Sequence, residues 1–430
     1  MSKILNETVE ATANIIAQVA ATGHLLDRLL LIYGEARAMP NGLNACLKTI
    51  RASRAELEAV APRIPGFDAW YAPHREQFET DPLLHWAFNA RDKTAHQRDL
   101  ADHSRVRVDL VASYRAAPLA SWQPGSVFAS GAEIVNTIPQ EHLSPHVREN
   151  GVVRISRRWV DSELPDWEIV GALDTVHSRL VDIVADLYTH CGVDINPLKQ
   201  PQVDVLGPDE DRRLYLAVND GLYQLHSERR PPPADELAAE VEKMLAGNTL
   251  HPSLKAASTF REAARIYFEY MSEALLRTGR VQPAAVFFRG AGTITIRSLD
   301  LASRAHKYAV VHEFAELSRQ IDADGVIFVV EAWAGAAAKL APGQVPGKKT
   351  AIGEALVMQG AAADGTVIHL CSNIHRGFFR RSKVKHLDPP FEESRDLPGT
   401  MVPFLEMWGR LEALNLPADA DFTRDSVSRG

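Results

Sequence analysis

Apolar residues recur at helical spacing through the first ninety positions and give way to strand-like alternation after about residue 104. Val9, Ile16, Val19, Leu26 and Leu30 mark one stripe of a helix predicted over residues 4 to about 33, with Gly34 and Pro40 beyond its end. A second helix is predicted over about 42–61, stopping before Pro65-Gly66, and a third begins near Phe67. A fourth begins at Asp81-Pro82, where Asp81 can cap the free N–H groups and proline gives up no hydrogen bond. Leu84, Phe88 and Ala95 form its apolar side, which predicts that it continues through Arg91 and His96.

Segments 105–114, 126–136 and 152–160 alternate as strands and predict a small β insertion. A helix returns over 165–191, with Ile169, Leu173, Val176, Leu180, Ile183, Val184 and Leu187 as its stripe and Gly192 as its stop. Residues 213–218 and 222–225 flank Asn219-Asp220-Gly221 and read as a hairpin, and Pro231-Pro232-Pro233 marks a boundary. Helices follow at about 234–246 and 253–278. The last 150 residues predict a hairpin (286–290 with 293–297), a helix over 303–320, and strands at 326–333, 355–359 and 366–372. That order favours an antiparallel sheet with a helix on one face. The expected fold class is α+β, with an N-terminal helical bundle, a small β insertion and a C-terminal antiparallel sheet packed on helices. Its parts would be residues 1–200 with the insertion at about 104–160, a hairpin with connecting helices over 201–280, and an α+β domain over 281–430.

A chain of 430 residues exceeds one ordinary core, which fits several parts. With 46% hydrophobic and 24% charged residues it has the composition of a globular protein, and no apolar run approaches the roughly 20 residues that cross a bilayer. The start is amphipathic and acidic, unlike a secretory signal. Cys46, Cys191 and Cys371 lie far apart with no pairing or metal spacing, which fits the reducing cytoplasm. A net charge of −8 argues against a protein coated in nucleic acid but leaves room for a local basic groove.

The richest chemistry lies in Arg91-Asp92-Lys93-Thr94-Ala95-His96, whose Arg-Asp-x-x-x-His pattern repeats at Arg98–His103. Asp92 and His96 are i,i+4 neighbours on a helix, so the carboxylate can orient the imidazole. An arginine stays charged and a histidine can act as base or acid, which together can serve RNA cleavage through the 2′-hydroxyl without metal. Arg91 lies about 140° around a regular helix from His96, so one phosphate could reach both only at a helix end or across a dimer. The segment resembles the HEPN superfamily of helical domains, recognised by arginine, a polar residue and a histidine after four to six intervening residues. The resemblance implies Arg91 and His96 as a catalytic pair, Asp92 as their support, a homodimer, and a metal-independent endoribonuclease of toxin–antitoxin or antiviral systems. It covers at most the helices within about 1–200. The plainer reading of the same residues is a polar helix end with Arg91 paired to a nearby carboxylate.

Residues 375–386 are the most basic stretch and enclose two aromatics. Arg376, Arg380, Arg381, Lys383 and Lys385 are candidates for RNA contact there, against the plainer reading of a solvated loop. Residues 343–350 imitate a phosphate-binding loop but are one residue short, with Lys349 where a hydroxyl is required. His312 with Glu316, and His369, Cys371 and His375, could be imagined on a metal, but no HExxH or CxxC framework supports them, so neither metal nor cofactor is expected. Glu331 and Glu354 read as strand-end carboxylates. Two further readings remain: a non-catalytic interaction module that dimerises or binds a protein partner such as an antitoxin, and a sensor whose C-terminal part holds a small ligand. A largely apolar pocket within 281–400 would favour the sensor.

Overall fold

The structure, a computed structural model, describes the chain except Met1 and residues 91–99, 220, 222–223, 227–228, 247–249, 300–302, 335–352, 378–382, 393–395, 415, 417–419, 424–425 and 429–430. Four helices come first: α1 (Ser2–Leu31), α2 (Met39–Ala59), α3 (Phe67–Thr80) and α4 (Pro82–Asn89). Asp81 caps α4 as its sequence predicts, its Oδ1 accepting from the N–H groups of Leu83 at 2.9 Å and Leu84 at 3.1 Å. The helix stops at Asn89, and the expected continuation through Arg91 and His96 lies outside the described residues.

The next segment builds a sheet from distant pieces. These are β1 (Arg105–Val111), β2 (Ala120–Trp122), β3 (Val152–Arg158), β4 (Arg212–Ala217) and β5 (Gln224–His226), in the order β2-β1-β3-β4-β5 and antiparallel throughout. Two short helices, α5 (Gly131–Asn136) and α6 (Pro145–Asn150), and the long α7 (Ile169–His190) are inserted between its strands. The strand predicted over 126–136 is thus corrected. Ser130 and Glu133 form a reciprocal capping box, and this local signal starts a helix where alternation alone suggested a strand. The hairpin predicted at 213–225 joins the strands of the β insertion, so this sheet crosses the boundary expected near residue 200.

The remaining elements are α8 (Ala234–Leu245), α9 (Leu250–Ala256), α10 (Phe260–Thr278), β6 (Ala284–Arg289), β7 (Gly292–Ser298), α11 (Arg304–Gln320), β8 (Gly325–Ala334), β9 (Gly353–Ala362) and β10 (Val367–Arg376). They are followed by β11 (Val384–Leu387), β12 (Phe391–Glu392), β13 (Asp396–Pro398), α12 (Val402–Met407) and β14 (Ser426–Ser428). The second sheet runs β11-β10-β9-β8-β6-β7, with β12 also on β10, again antiparallel. It carries helices on both faces, not one. Phe287 and Phe328 pack with Tyr308 and Val311 of α11, whereas Phe288, Ile327 and Met358 pack with Ala263, Tyr267 and Phe268 of α10. The run Ala285-Val286-Phe287-Phe288 is apolar at every position because each face meets a helix.

The first sheet obeys the same two-residue period. Val108, Leu110, Val153, Ile155, Leu214 and Leu216 face the core shared with α1, α2, α4 and α7. Val152, Tyr215 and Ala217 face α11. Helix α11 is therefore shared by the two sheets, and its residues from His306 to Gln320 bear on whatever lies between them. The molecule is an α+β protein with N-terminal helices followed by antiparallel sheets.

Candidate functional site

Strands β4 and β5 pair with Leu214 opposite His226, so the hairpin brings its two open ends together. One end begins with Arg212-Arg213 and the other leads into Arg229-Arg230. The period of two then sends Arg212 toward the helical bundle and Arg213 toward α11. Arg212 is only 4% exposed and is held by Asp204 Oδ2 at 2.7 Å and Glu168 Oε2 at 3.2 Å. Burial disfavours its charge, but the two carboxylates outweigh burial and hold the guanidinium above its ordinary pKa. Glu168 also caps α7, accepting from Val170 and Gly171 at 3.1 Å each, and takes the Tyr33 hydroxyl at 3.2 Å.

Arg213 pairs with Glu313 of α11, which also accepts from the Tyr215 hydroxyl at 2.9 Å. Arg229 reaches Asp174 of α7, Asp27 of α1 at 3.2 Å and the Gln202 carbonyl at 2.9 Å. Burial raises the Asp174 carboxyl to about 6 despite this arginine. Arg230 pairs with Glu210, whose carboxylate also takes the Gly207 N–H at 2.7 Å. Four arginines are thereby fixed in place by acids behind or beside them. The fixed forks need little reordering to meet a ligand.

Together they line a cavity of about 320 Å³ between the hairpin, the 206–211 and 229–231 segments, the end of β7 and one side of α11. Leu206, Leu225, Pro231, Val310, Phe314 and Leu317 supply apolar wall. Among the described residues the charged lining comprises Arg212, Arg213, Arg229, Arg230 and Arg297 against Asp211 and Glu313, five cations to two anions. Both anions are already engaged, Asp211 by Arg105 at 2.8 Å and Glu313 by Arg213. Arg297 of β7 is half-buried and has no ion pair with another described residue. The cavity is not the largely apolar pocket within 281–400 that would favour a sensor. This cavity lies at the junction of the two sheets, and its wall is rich in arginine.

Across Arg213 lies a second cavity of about 250 Å³, lined in part by Arg154, Tyr215, His312 and Glu316. His312 is no ligand partner for Glu316. Its Nε2 stands 3.2 Å from the Ser113 carbonyl, and burial, aided by the charge of Arg154, lowers the imidazole to about 4.

The residues singled out from sequence are scattered. Arg91, Asp92 and His96 lie outside the described residues, as do Arg380, Arg381 and the loop at 343–350. Arg376 is described and is not free for phosphate. Its guanidinium takes Glu331 at 2.6 Å, Glu354, and the Gly279 carbonyl at 2.7 Å. Glu331 and Glu354 thus serve one arginine across three strands. Lys383 and Lys385 are exposed at β11. The arginine doublets belong to no sequence motif, although a hairpin that starts at one doublet and leads into the other brings them together.

Comparison with known proteins bears on nearly the whole chain. A family model described as bacteriophage lambda protein ea47 matches residues 27–416. Protein ea47 of Escherichia phage lambda is 28% identical over 208 residues, which is 46% of this chain and 49% of that protein. The match thus spans about half the length of that relative. No solved structure matches. The family match includes the Arg91–His96 segment and overturns the HEPN resemblance. The endoribonuclease, RNA-binding, toxin–antitoxin and antiviral labels that the resemblance brought lose their ground with it. From residue 27 to residue 416, the chain belongs to the family of bacteriophage lambda protein ea47.

Proposed function

We propose that this protein binds a small anionic ligand with a flat or apolar body in the arginine-lined cavity between its sheets. The carrying observation is Arg297, a half-buried guanidinium that no described carboxylate neutralises, facing a wall that already holds four arginines. A half-buried cation without a counter-ion is costly, and an anionic ligand group would relieve that cost. Phe314, Leu225 and Leu317 offer the apolar surface that the remainder of such a ligand would cover. The volume of about 320 Å³ suits a molecule of nucleotide or aromatic-acid size. This reading replaces the nuclease by a binding role, the alternative that the sequence had left open.

Thermal unfolding in the presence of inorganic phosphate, nucleoside monophosphates and aromatic carboxylates tests the proposal. A ligand at 100 times its dissociation constant should stabilise the protein by about 2.7 kcal/mol and raise the midpoint by several degrees. Arg297→Ala removes one charge-assisted contact, expected to weaken binding about tenfold or more. Phe314→Ala should weaken the nucleotides and aromatic acids while leaving phosphate unchanged. An unmoved midpoint across the whole panel would reject the proposal, and so would an Arg297→Ala protein that responds like the unaltered one.

A further inference from the structure

Strand β11 pairs with β10 so that His375 and His386 stand directly opposite each other. Their rings stack with centroids 4.2 Å apart and planes 10° from parallel. Two residues past His386, Asp388 turns its carboxylate to the same point. Its Oδ1 lies 2.9 Å from His375 Nε2 and 4.0 Å from His386 Nε2. One donor atom from each of the three residues lies within 4.8 Å of the others.

The carboxylate is aimed by its surroundings. Asn373 donates its side-chain amide to Oδ2 at 2.9 Å, and the Asp388 N–H donates to the Asn373 carbonyl at 3.0 Å. The Asn373 hydrogen bond, followed by His375 and His386, holds the Asp388 carboxyl below its ordinary pKa. This is the arrangement of an oriented ligand with a supporting partner on its far oxygen.

We infer that His375, His386 and Asp388 form a binding site for a divalent transition-metal ion of the zinc class. Two imidazole nitrogens and one carboxylate oxygen are the donor set such ions prefer, and three protein ligands leave a further position to solvent. In a tetrahedral site with bonds of about 2.0–2.1 Å, neighbouring donors stand roughly 3.3 Å apart. The donors now stand within 4.8 Å of one another, 2.9 Å and 4.0 Å from the carboxylate to the two imidazoles, and rotation of these surface side chains can bring all three to that spacing. The side chains of His375, His386 and Asp388 are 46%, 63% and 37% exposed, so an ion can enter from solvent. The sequence grouped His375 with His369 and Cys371. Strand pairing brings it to His386 and Asp388 instead, which no short-range spacing motif would reveal.

Calorimetric titration of chelator-stripped protein with zinc chloride, with metal content measured after gel filtration, tests the inference. The full chain should take up one zinc ion at this site. His386→Ala and Asp388→Ala should each abolish that saturable event, and Asn373→Ala should weaken it about tenfold by releasing Oδ2. Asn373 and His386 are exposed and Asp388 is partly so, and far-ultraviolet circular dichroism should confirm that the variants keep their fold. Absence of saturable uptake by the unaltered protein, or uptake that survives His386→Ala undiminished, would overturn the site. Neither outcome touches the arginine-lined cavity, which uses none of these residues.

Discussion

His312 lies in the middle of α11, 7% exposed, with its ring neutral and bonded to the Ser113 carbonyl. Its folded pKa of about 4 lies below the ordinary histidine value of about 6.5. Below the latter value the unfolded chain takes up a proton that the folded chain refuses, so this residue withdraws stability as pH falls from about 6.5 to about 4. Asp174 acts oppositely. With its folded pKa raised to about 6, the folded chain keeps a proton that the unfolded chain has released, so its contribution falls as pH rises from about 4 to about 6. The two tend to cancel in the unaltered protein. Denaturant unfolding of His312→Gln against the unaltered protein should separate them, the difference changing by up to roughly 3 kcal/mol between pH 7 and pH 4. A difference independent of pH would contradict a buried neutral imidazole.

Gly171 shows how one missing methyl supports the cavity wall. A Cβ there would stand 2.8 Å from the Asp204 carbonyl oxygen, and backbone cannot swing aside as a long side chain can. Alanine in a helix interior is ordinarily favoured by up to ~1 kcal/mol, but this contact should reverse the sign and cost about 1–3 kcal/mol. Because Asp204 holds Arg212, Gly171→Ala should also loosen ligand binding. A stabilised Gly171→Ala protein would show that the 204 segment yields freely. None of this was legible in the sequence, where Gly171 is one small residue in a helical stripe and Asp204 one carboxylate in a loop.

At the level of elements, strong local signals were readable. Asp81-Pro82 starts α4, and the stripe from Ile169 to Leu187 lies on α7. Asp81 also pairs with Arg179 of α7. Asp81→Asn should retain the cap and lose the charge, whereas Asp81→Ala loses both. Chemical denaturation should therefore place the alanine variant about 1 kcal/mol below the asparagine variant. Equal stabilities would mean that water satisfies the two N–H groups as well as the side chain does. The elements that misled were those in which period and cap compete. Residues 126–136 alternate, yet the Ser130–Glu133 capping box makes them a turn and a helix. The second sheet misled in its layering, since two covered faces look like a simple hydrophobic run until the helices are placed.

At the scale of the whole molecule, sequence separation hides the candidate sites. The first sheet collects strands from residues 105 to 226, and α11 arrives nearly eighty residues later to share its core with both sheets. Antiparallel sheets on helices could be read from pattern. That Arg213 would meet Glu313, or that Arg297 would face Arg229 and Arg230 across a cavity, could not, because no local rule fixes how two sheets share one helix. The HEPN resemblance fell for a related reason. An arginine–histidine spacing is too loose to define a family, and the match over residues 27–416 assigns that stretch elsewhere. Among the described residues no helix is long and apolar enough to cross a membrane.

The most direct measurement is a crystal structure of the full chain soaked with whichever anion raises its unfolding midpoint furthest. Electron density for that ligand is expected between β7 and α11, its anionic group within hydrogen-bond distance of Arg297 and its body against Phe314. Well-defined ligand density elsewhere on the molecule, with this cavity holding only solvent, would contradict it.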